Sequence, residues 1–374
     1  MRRFERKQNV FTNKDALGES YKPERIEERD DEISEYMDAL QPVVDGWEPN
    51  NVFLYGNTGV GKTAVTEFLL EMLLEDVSQY DDVDLSVISI NCKTLNSSYQ
   101  VAVELVNELR PPGAEISSTG YPQQTVFKKL FQELDDVGGT VLIVLDEVDS
   151  IGDRDELLYE LPRARSNGKL EDAKVGLIGI SNDFSFRDDL SPKVKSSLCE
   201  EEIQFPAYDA KELIQILQQR ADVAFHDGVL EDGVIELCAA YGAKDAGDAR
   251  QSLDLLMKTG DLARDKDTDT ISENLVREAR DVLERGRIQE GISGLTQHGH
   301  LVVYAMVTLD QEGKTPARTR DIRPRYTNFA EKAGIDPLVP RRMRDHLGEL
   351  SMLGIISAIE RNEGRRGGTY REYS

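Results

Sequence analysis

The stretch GNTGVGKTAV at 56–65 decides how the rest of the chain is read. It follows NVFLYG at 51–56, a short apolar run that predicts a strand. It precedes AVTEFLLEMLLEDV, whose apolar spacing predicts a helix. Gly56, Gly61, Lys62 and Thr63 therefore spell G-x-x-x-x-G-K-T in the strand–loop–helix context that a phosphate-binding loop requires. Glycines let successive backbone N–H groups converge on a phosphate, and the helix N-terminus adds its dipole. The pattern predicts a nucleotide triphosphate cradled by Gly59, Val60 and Gly61. Lys62 would then sit on the β- and γ-phosphates and Thr63 on Mg²⁺.

Two further strands carry polar residues at their C-terminal ends. VLIVLDEVDSI at 141–151 is a buried-strand pattern that ends in two carboxylates. Asp146 suits the Mg²⁺ water shell, and Glu147 suits polarising an attacking water. VGLIGISN at 175–182 ends in Ser181 and Asn182. The Asn182 amide either positions that water beside the γ-phosphate or only caps a strand end. Strands alternating with helical stretches in this way predict a doubly wound parallel α/β sheet.

Charge divides the chain unevenly. The net charge is −25, with 17 Lys and 28 Arg against 70 Asp and Glu. Few lysines and many carboxylates predict a surface kept hydrated in concentrated salt, as in the cytoplasm of a halophile. The three cysteines and four histidines are scattered without metal-ligand spacing. No run of about 18 apolar residues is present, and MRRFERKQNVF lacks the apolar core of a signal peptide, so a cytoplasmic protein is expected. From Leu295 onward, however, 13 Lys and Arg outnumber 10 Asp and Glu. A basic island on an acidic protein points to nucleic acid.

Within that island, HGHLVVYAMVTL predicts a buried helix, and VPRRMRDHLGELSMLGII places Val339, Met343, Leu347 and Leu350 on one apolar face. Arg341 and Arg342 lie off that face. IISAIERNEGRRGGTYREY predicts a β-hairpin with Arg365 and Arg366 at its glycine-rich tip. Helices followed by such a wing form a winged helix-turn-helix, which predicts contacts to double-stranded DNA by Arg341, Arg342, Arg365 and Arg366.

The order GNTGVGKT, LDEVD, GISN, SPKVKSSLCEEEIQFPAYDAKELIQILQQRA and GDARQSLDLL resembles the archaeal Orc1/Cdc6 family of AAA+ replication initiators, of haloarchaeal type. The resemblance runs from about Val10 to the C-terminus. It implies an α/β fold: a P-loop AAA+ parallel sheet at 1–206, a helical lid at 207–291 and a winged-helix domain at 292–374. It implies Asn182 as a sensor beside the γ-phosphate, Arg250 reaching that phosphate from the lid, and Tyr208 and Arg220 beside the nucleotide. It also implies a helical insertion over SSYQVAVELVNELRPPGAEISSTGYP that touches duplex DNA, with Arg110 as its cation. Lys193 and Lys195 stand where family members often carry Arg, so an arginine-finger role in trans is in question.

The expected activity is slow ATP hydrolysis that switches an origin-binding protein. ATP or ADP and Mg²⁺ are its ligands, origin duplex its partner, and a replicative helicase and self-association on DNA its further contacts. Rival readings are a signalling-type ATPase transcription regulator and a clamp-loader-like subunit. The first would carry a repeat array after its winged helix. The second would carry an all-helical collar in place of the Gly-Arg-rich hairpin.

Overall fold

The computed structural model describes residues 10–152, 155–198, 200–362 and 369–374. The chain forms two compact units, Met1–Val276 and Arg277–Ser374. Among the described residues no helix is long and apolar enough to cross a membrane.

The first unit opens with an N-terminal segment that holds a short 3₁₀ helix (Lys14–Leu17), then helix α1 (Asp30–Val44). It continues through β1 (Val52–Gly56), α2 (Lys62–Val77), β2 (Leu85–Asn91), α3 (Ser98–Leu109), α4 (Gln123–Val137) and β3 (Thr140–Asp146). Then come α5 (Asp155–Glu160), β4 (Lys174–Ser181), α6 (Phe186–Asp189), α7 (Pro192–Leu198) and β5 (Glu201–Phe205). The strands pair in parallel in the order β2-β3-β4-β1-β5. Every side chain of β3 from Thr140 to Leu145 is buried, as the unbroken VLIVL run requires of a strand covered on both faces. Because β1, β4 and β3 are neighbours, the glycine loop after β1 meets the polar ends of the other two strands. Ligands of open parallel sheets bind at such carboxyl ends.

The segment expected to be a helical insertion that touches duplex DNA forms one helix, α3, followed by a loop. Val101, Ala102, Leu105 and Val106 of α3 are fully buried and join Val126, Leu130 and Leu134 of α4 in the main core. An amphipathic helix with such a stripe packs onto the sheet. Arg110 follows it, donating through Nε to Glu133 at 2.7 Å and through Nη1 to the Ala114 carbonyl at 3.1 Å. The guanidinium offered above as a DNA contact is thus committed within its own unit.

Three helices complete the first unit: α8 (Ala210–Ala224), α9 (Val234–Lys244) and α10 (Ala249–Asp265). Asp209 starts α8 with a reciprocal capping box to Glu212, and Asp248 caps α10 by accepting the Gln251 N–H at 3.0 Å. Helix α11 (Glu273–Gly294) follows.

The second unit contains α12 (Gln297–Gln311), β6 (Ala317–Arg318), α13 (Thr319–Lys332), α14 (Pro340–Met352), β7 (Ala358–Asn362) and β8 (Thr369–Tyr373). Its strands form an antiparallel sheet, β6-β8-β7. Met343, Leu347 and Leu350 are fully buried against Val302, Ala305, Ile322 and Tyr326. Val339 is not: it caps α14 from outside and is 61% exposed, so the apolar stripe begins one turn later than the spacing suggests. The hairpin tip with Arg365 and Arg366 lies outside the described residues.

Candidate nucleotide site and winged-helix face

The glycine loop bends as its composition demands. Gly59 and Gly61 sit at φ of +75° and +94°, where a side chain would be strained. A Cβ on Gly59 would also lie 1.8 Å from Asp248 Oδ1. Lys62, only 4% exposed, folds back over the loop. Its Nζ donates to the carbonyls of Gly56 (2.9 Å) and Asn57 (2.7 Å) and to Asn182 Oδ1 (2.8 Å). Burial lowers its pKa to about 8, partly offset by the charges of Asp146 and Asp149.

The ends of β3 and β4 converge on the same place. The Thr63 hydroxyl donates to Asp146 Oδ2 at 2.9 Å, and the Glu147 N–H donates to Asp146 Oδ1 at 2.8 Å. Glu147 adopts a left-handed conformation, φ 52°, and lines the cleft together with Asn182. The Asn182 N–H donates to Asp149 Oδ1 at 3.1 Å, which orients the residue whose amide oxygen meets Lys62. Among the described residues no group of three or more His, Cys, Asp or Glu could hold a metal by itself. Thr63 and Asp146 instead present oxygens at the loop, the donor set Mg²⁺ takes when phosphate supplies the rest.

The helices after β5 dock directly on the loop through the GDAR sequence. The Ala249 N–H donates to the Gly59 carbonyl at 3.0 Å, and the Tyr208 N–H donates to the Gly247 carbonyl at 3.2 Å. Arg250 faces the cleft, where its Nε pairs with Glu19 at 3.0 Å. The cleft, about 740 Å³, is walled by the loop, by α8 and α10, and by residues 17–27 of the N-terminal segment. Arg220 lines it too, but its guanidinium donates to the Ala16 carbonyl at 3.1 Å and lies 4.6 Å over the Tyr21 ring. It therefore fastens the N-terminal wall. Tyr208 also faces the cleft, yet Arg29 covers one face of its ring at 3.7 Å.

Sequence reading missed Arg29, Glu19 and Asp248. Arg29 is 2% exposed and donates to the carbonyls of Val60 (3.1 Å) and Pro206 (2.7 Å). Its signal was present in RIEERDDE, a basic residue just before an acidic helix start, but charge runs seldom mark burial.

In the second unit the first turns of α14 present Arg341, Arg342 and Arg344, all exposed, with Pro340 at the first helical position. Among the described residues none of the three has an ion-pair partner. The adjoining strands are cross-braced: Arg361 and Arg318 both reach Glu372, and Arg318 stacks on Tyr370 at 3.5 Å.

A phosphate loop, a strand-end Asp-Glu pair, a strand-end Asn and a helical cap on the loop define a nucleotide-binding AAA+ protein with a winged helix. Family models agree in chain order: an AAA domain matches residues 48–185, the Cdc6 AAA+ ATPase-type lid domain 214–281, and the Cdc6 C-terminal winged helix domain 290–374. ORC1-type DNA replication protein 11 of Haloarcula marismortui is 78% identical over 99% of this chain and 89% of its own length. ORC1-type DNA replication protein 10 of Halobacterium salinarum is 63% identical over 98% and 89%. The solved structure of the Aeropyrum pernix Orc1 protein in complex with DNA has a TM-score of 0.83 and 35% identity, covering 98% of this chain and 93% of that one. The chain belongs to the Orc1/Cdc6 family of AAA+ DNA replication initiators, the ORC1-type DNA replication proteins. The Haloarcula and Halobacterium relatives both come from haloarchaea, as the acidic, lysine-poor composition of this chain led one to expect.

Proposed function

We propose that this chain binds duplex DNA at replication origins under the control of ATP, hydrolysed slowly, with Mg²⁺ at Thr63 and Asp146. The observation that carries the switch is the hydrogen bond from Ala249 to the Gly59 carbonyl, which makes the cap helices part of the phosphate loop's surroundings. A triphosphate seated on Gly59, Val60, Gly61 and Lys62 would meet Arg250 from the cap and compete with Glu19 for it. Glu147 would orient the attacking water and Asn182 would fix Lys62 against the terminal phosphate. Thr63 and Asp146 would hold Mg²⁺, which would supply positive charge beside the phosphates. Tyr208 and Arg220 act on the nucleotide through the walls they hold in place.

Duplex binding is assigned to the exposed arginines of α14, with Arg341 and Arg342 reaching phosphate or guanine edges. Arg365 and Arg366 belong to the same proposal as wing contacts. The relative solved in complex with DNA supports DNA binding as such. Recruitment of a replicative helicase and self-association on DNA rest on family likeness. Lys193 stands exposed on α7 and Lys195 pairs with Asp188, so neither supplies the fork of an arginine finger.

The test is a pair of variants in the full chain. Lys62→Ala should abolish the rise in melting temperature that ATP–Mg²⁺ gives, because ligand bound only to the folded form stabilises it. Glu147→Gln should keep that rise and stop turnover. Hydrolysis by Glu147→Gln at the unmodified rate would remove Glu147 from its role.

A further inference from the structure

We propose that Arg29 is a positioning residue that couples the phosphate loop to the joint between the sheet and its cap helices. This rests on the nucleotide reading above and names the residue through which occupancy of the loop is passed on.

The geometry is specific. Nε of Arg29 holds the Val60 carbonyl at 3.1 Å, and Nη2 holds the Pro206 carbonyl at 2.7 Å. Val60 is fully buried between Gly59 and Gly61, the two glycines at positive φ. A peptide unit is planar, so fixing the Val60 carbonyl also fixes the direction of the Gly61 N–H. That N–H is one of the loop's donors. Pro206 lies on the link from β5 (Glu201–Phe205) to α8 (Ala210–Ala224), the segment about which the cap would move. Two residues later, Tyr208 lays its ring over the same guanidinium, and its hydroxyl lies 2.8 Å from where a Cβ of Gly61 would stand. Three points of contact thus meet on one rigid plane.

Stability alone gives a weak reason for this arrangement. Burying a guanidinium is costly, and among the described residues its one carboxylate partner is Glu32, at 3.2 Å. An apolar residue of similar volume would fill the space about as well. The two carbonyls are reached from two different nitrogens, Nε and Nη2, of one rigid plane, a spread of donors that the single nitrogen of a lysine lacks. A shift of the Val60 carbonyl on phosphate binding therefore strains the bond to Pro206, and the linker must follow.

The experiment uses the full chain carrying Arg29→Lys, with a fluorescent ATP analogue for affinity and amide hydrogen exchange with and without ATP–Mg²⁺. Unmodified protein should show ATP protecting both the loop at 56–63 and helices α8 to α10. Arg29→Lys should bind about tenfold more weakly. ATP at saturation should still protect its loop amides while the cap helices lose most of their protection. A purely structural role would lower the melting temperature and leave the ATP-dependent protection of the cap intact; that outcome, or unchanged affinity, overturns the proposal. If Arg29→Lys does not fold, Glu32→Gln loosens the guanidinium more gently and should weaken cap protection about twofold; unchanged cap protection there overturns it equally. Failure of the unmodified chain to bind ATP would instead strike the nucleotide reading itself.

Discussion

Lys62 keeps its charge where burial opposes it, and the opposition sets a pH dependence. Its pKa of about 8 in the folded chain lies below that of an unfolded lysine, about 10.4. Between those values the unfolded chain holds more protons, so Lys62 makes ligand-free stability rise with pH across that window. Phosphates reverse the sign for binding. Their negative charge favours the ammonium, so the bound form keeps its proton to higher pH than the free form. ATP affinity should be full below pH 8 and fall above it by up to about tenfold per unit. Calorimetry at pH 8.5 in buffers of different ionisation heat should show proton uptake on binding. Binding at that pH with no net proton uptake would contradict the assignment to Lys62. Glu147 and Asn182 contribute by place, at strand ends that the sheet order puts beside the loop.

The docking of the cap on the loop depends on Gly247, and Gly228 serves as its control. Gly247 has φ +67°, and a Cβ there would lie 2.5 Å from the Tyr208 carbonyl oxygen. Gly228 has nearly the same φ, +74°, with open space around it. Gly228→Ala should therefore cost only the left-handed strain, about 1–2 kcal/mol. Gly247→Ala should cost more, and only it should weaken ATP binding, because it displaces Asp248 and Ala249 from Gly59. Equal melting temperatures and equal ATP affinities for the two variants would remove the docking argument. These elements also divide what the sequence discloses from what it hides. The phosphate loop, LDEVD and SN are local patterns, and parallel order brings them together, so they could be read directly. The α14 stripe was equally legible from its helical period, apart from Val339. Arg29 touches carbonyls 31 and 177 residues away, and Arg220 a carbonyl 204 residues away. No periodicity encodes such contacts. Arg110 looked free for the same reason: Glu133, 23 residues on, claims it.

At the scale of the whole molecule, a chain of net charge −25 must approach a polyanion. On the proposed reading the last 80 residues, net +3, carry the attraction, and concentrated salt shortens the Debye length to about 3 Å at 1 M. Repulsion from the acidic remainder is then screened, while contacts at van der Waals range survive. Each phosphate neutralised contributes a slope of about −0.9 in log affinity against log salt. If Arg341 and Arg342 both meet phosphate, removing the pair should flatten that slope by roughly two. If one forks onto guanine, its loss should cost about 1–3 kcal/mol at preferred sites and less elsewhere. The most direct measurement is selection from a pool of random duplexes in molar KCl, using the full chain with ATP–Mg²⁺ and, in parallel, Arg341→Ala/Arg342→Ala. The account predicts that the unmodified chain enriches one sequence family and that the double variant enriches it weakly or not at all. No enrichment by the unmodified chain and no duplex affinity even in dilute salt, or enrichment that the double variant reproduces in full, would contradict it.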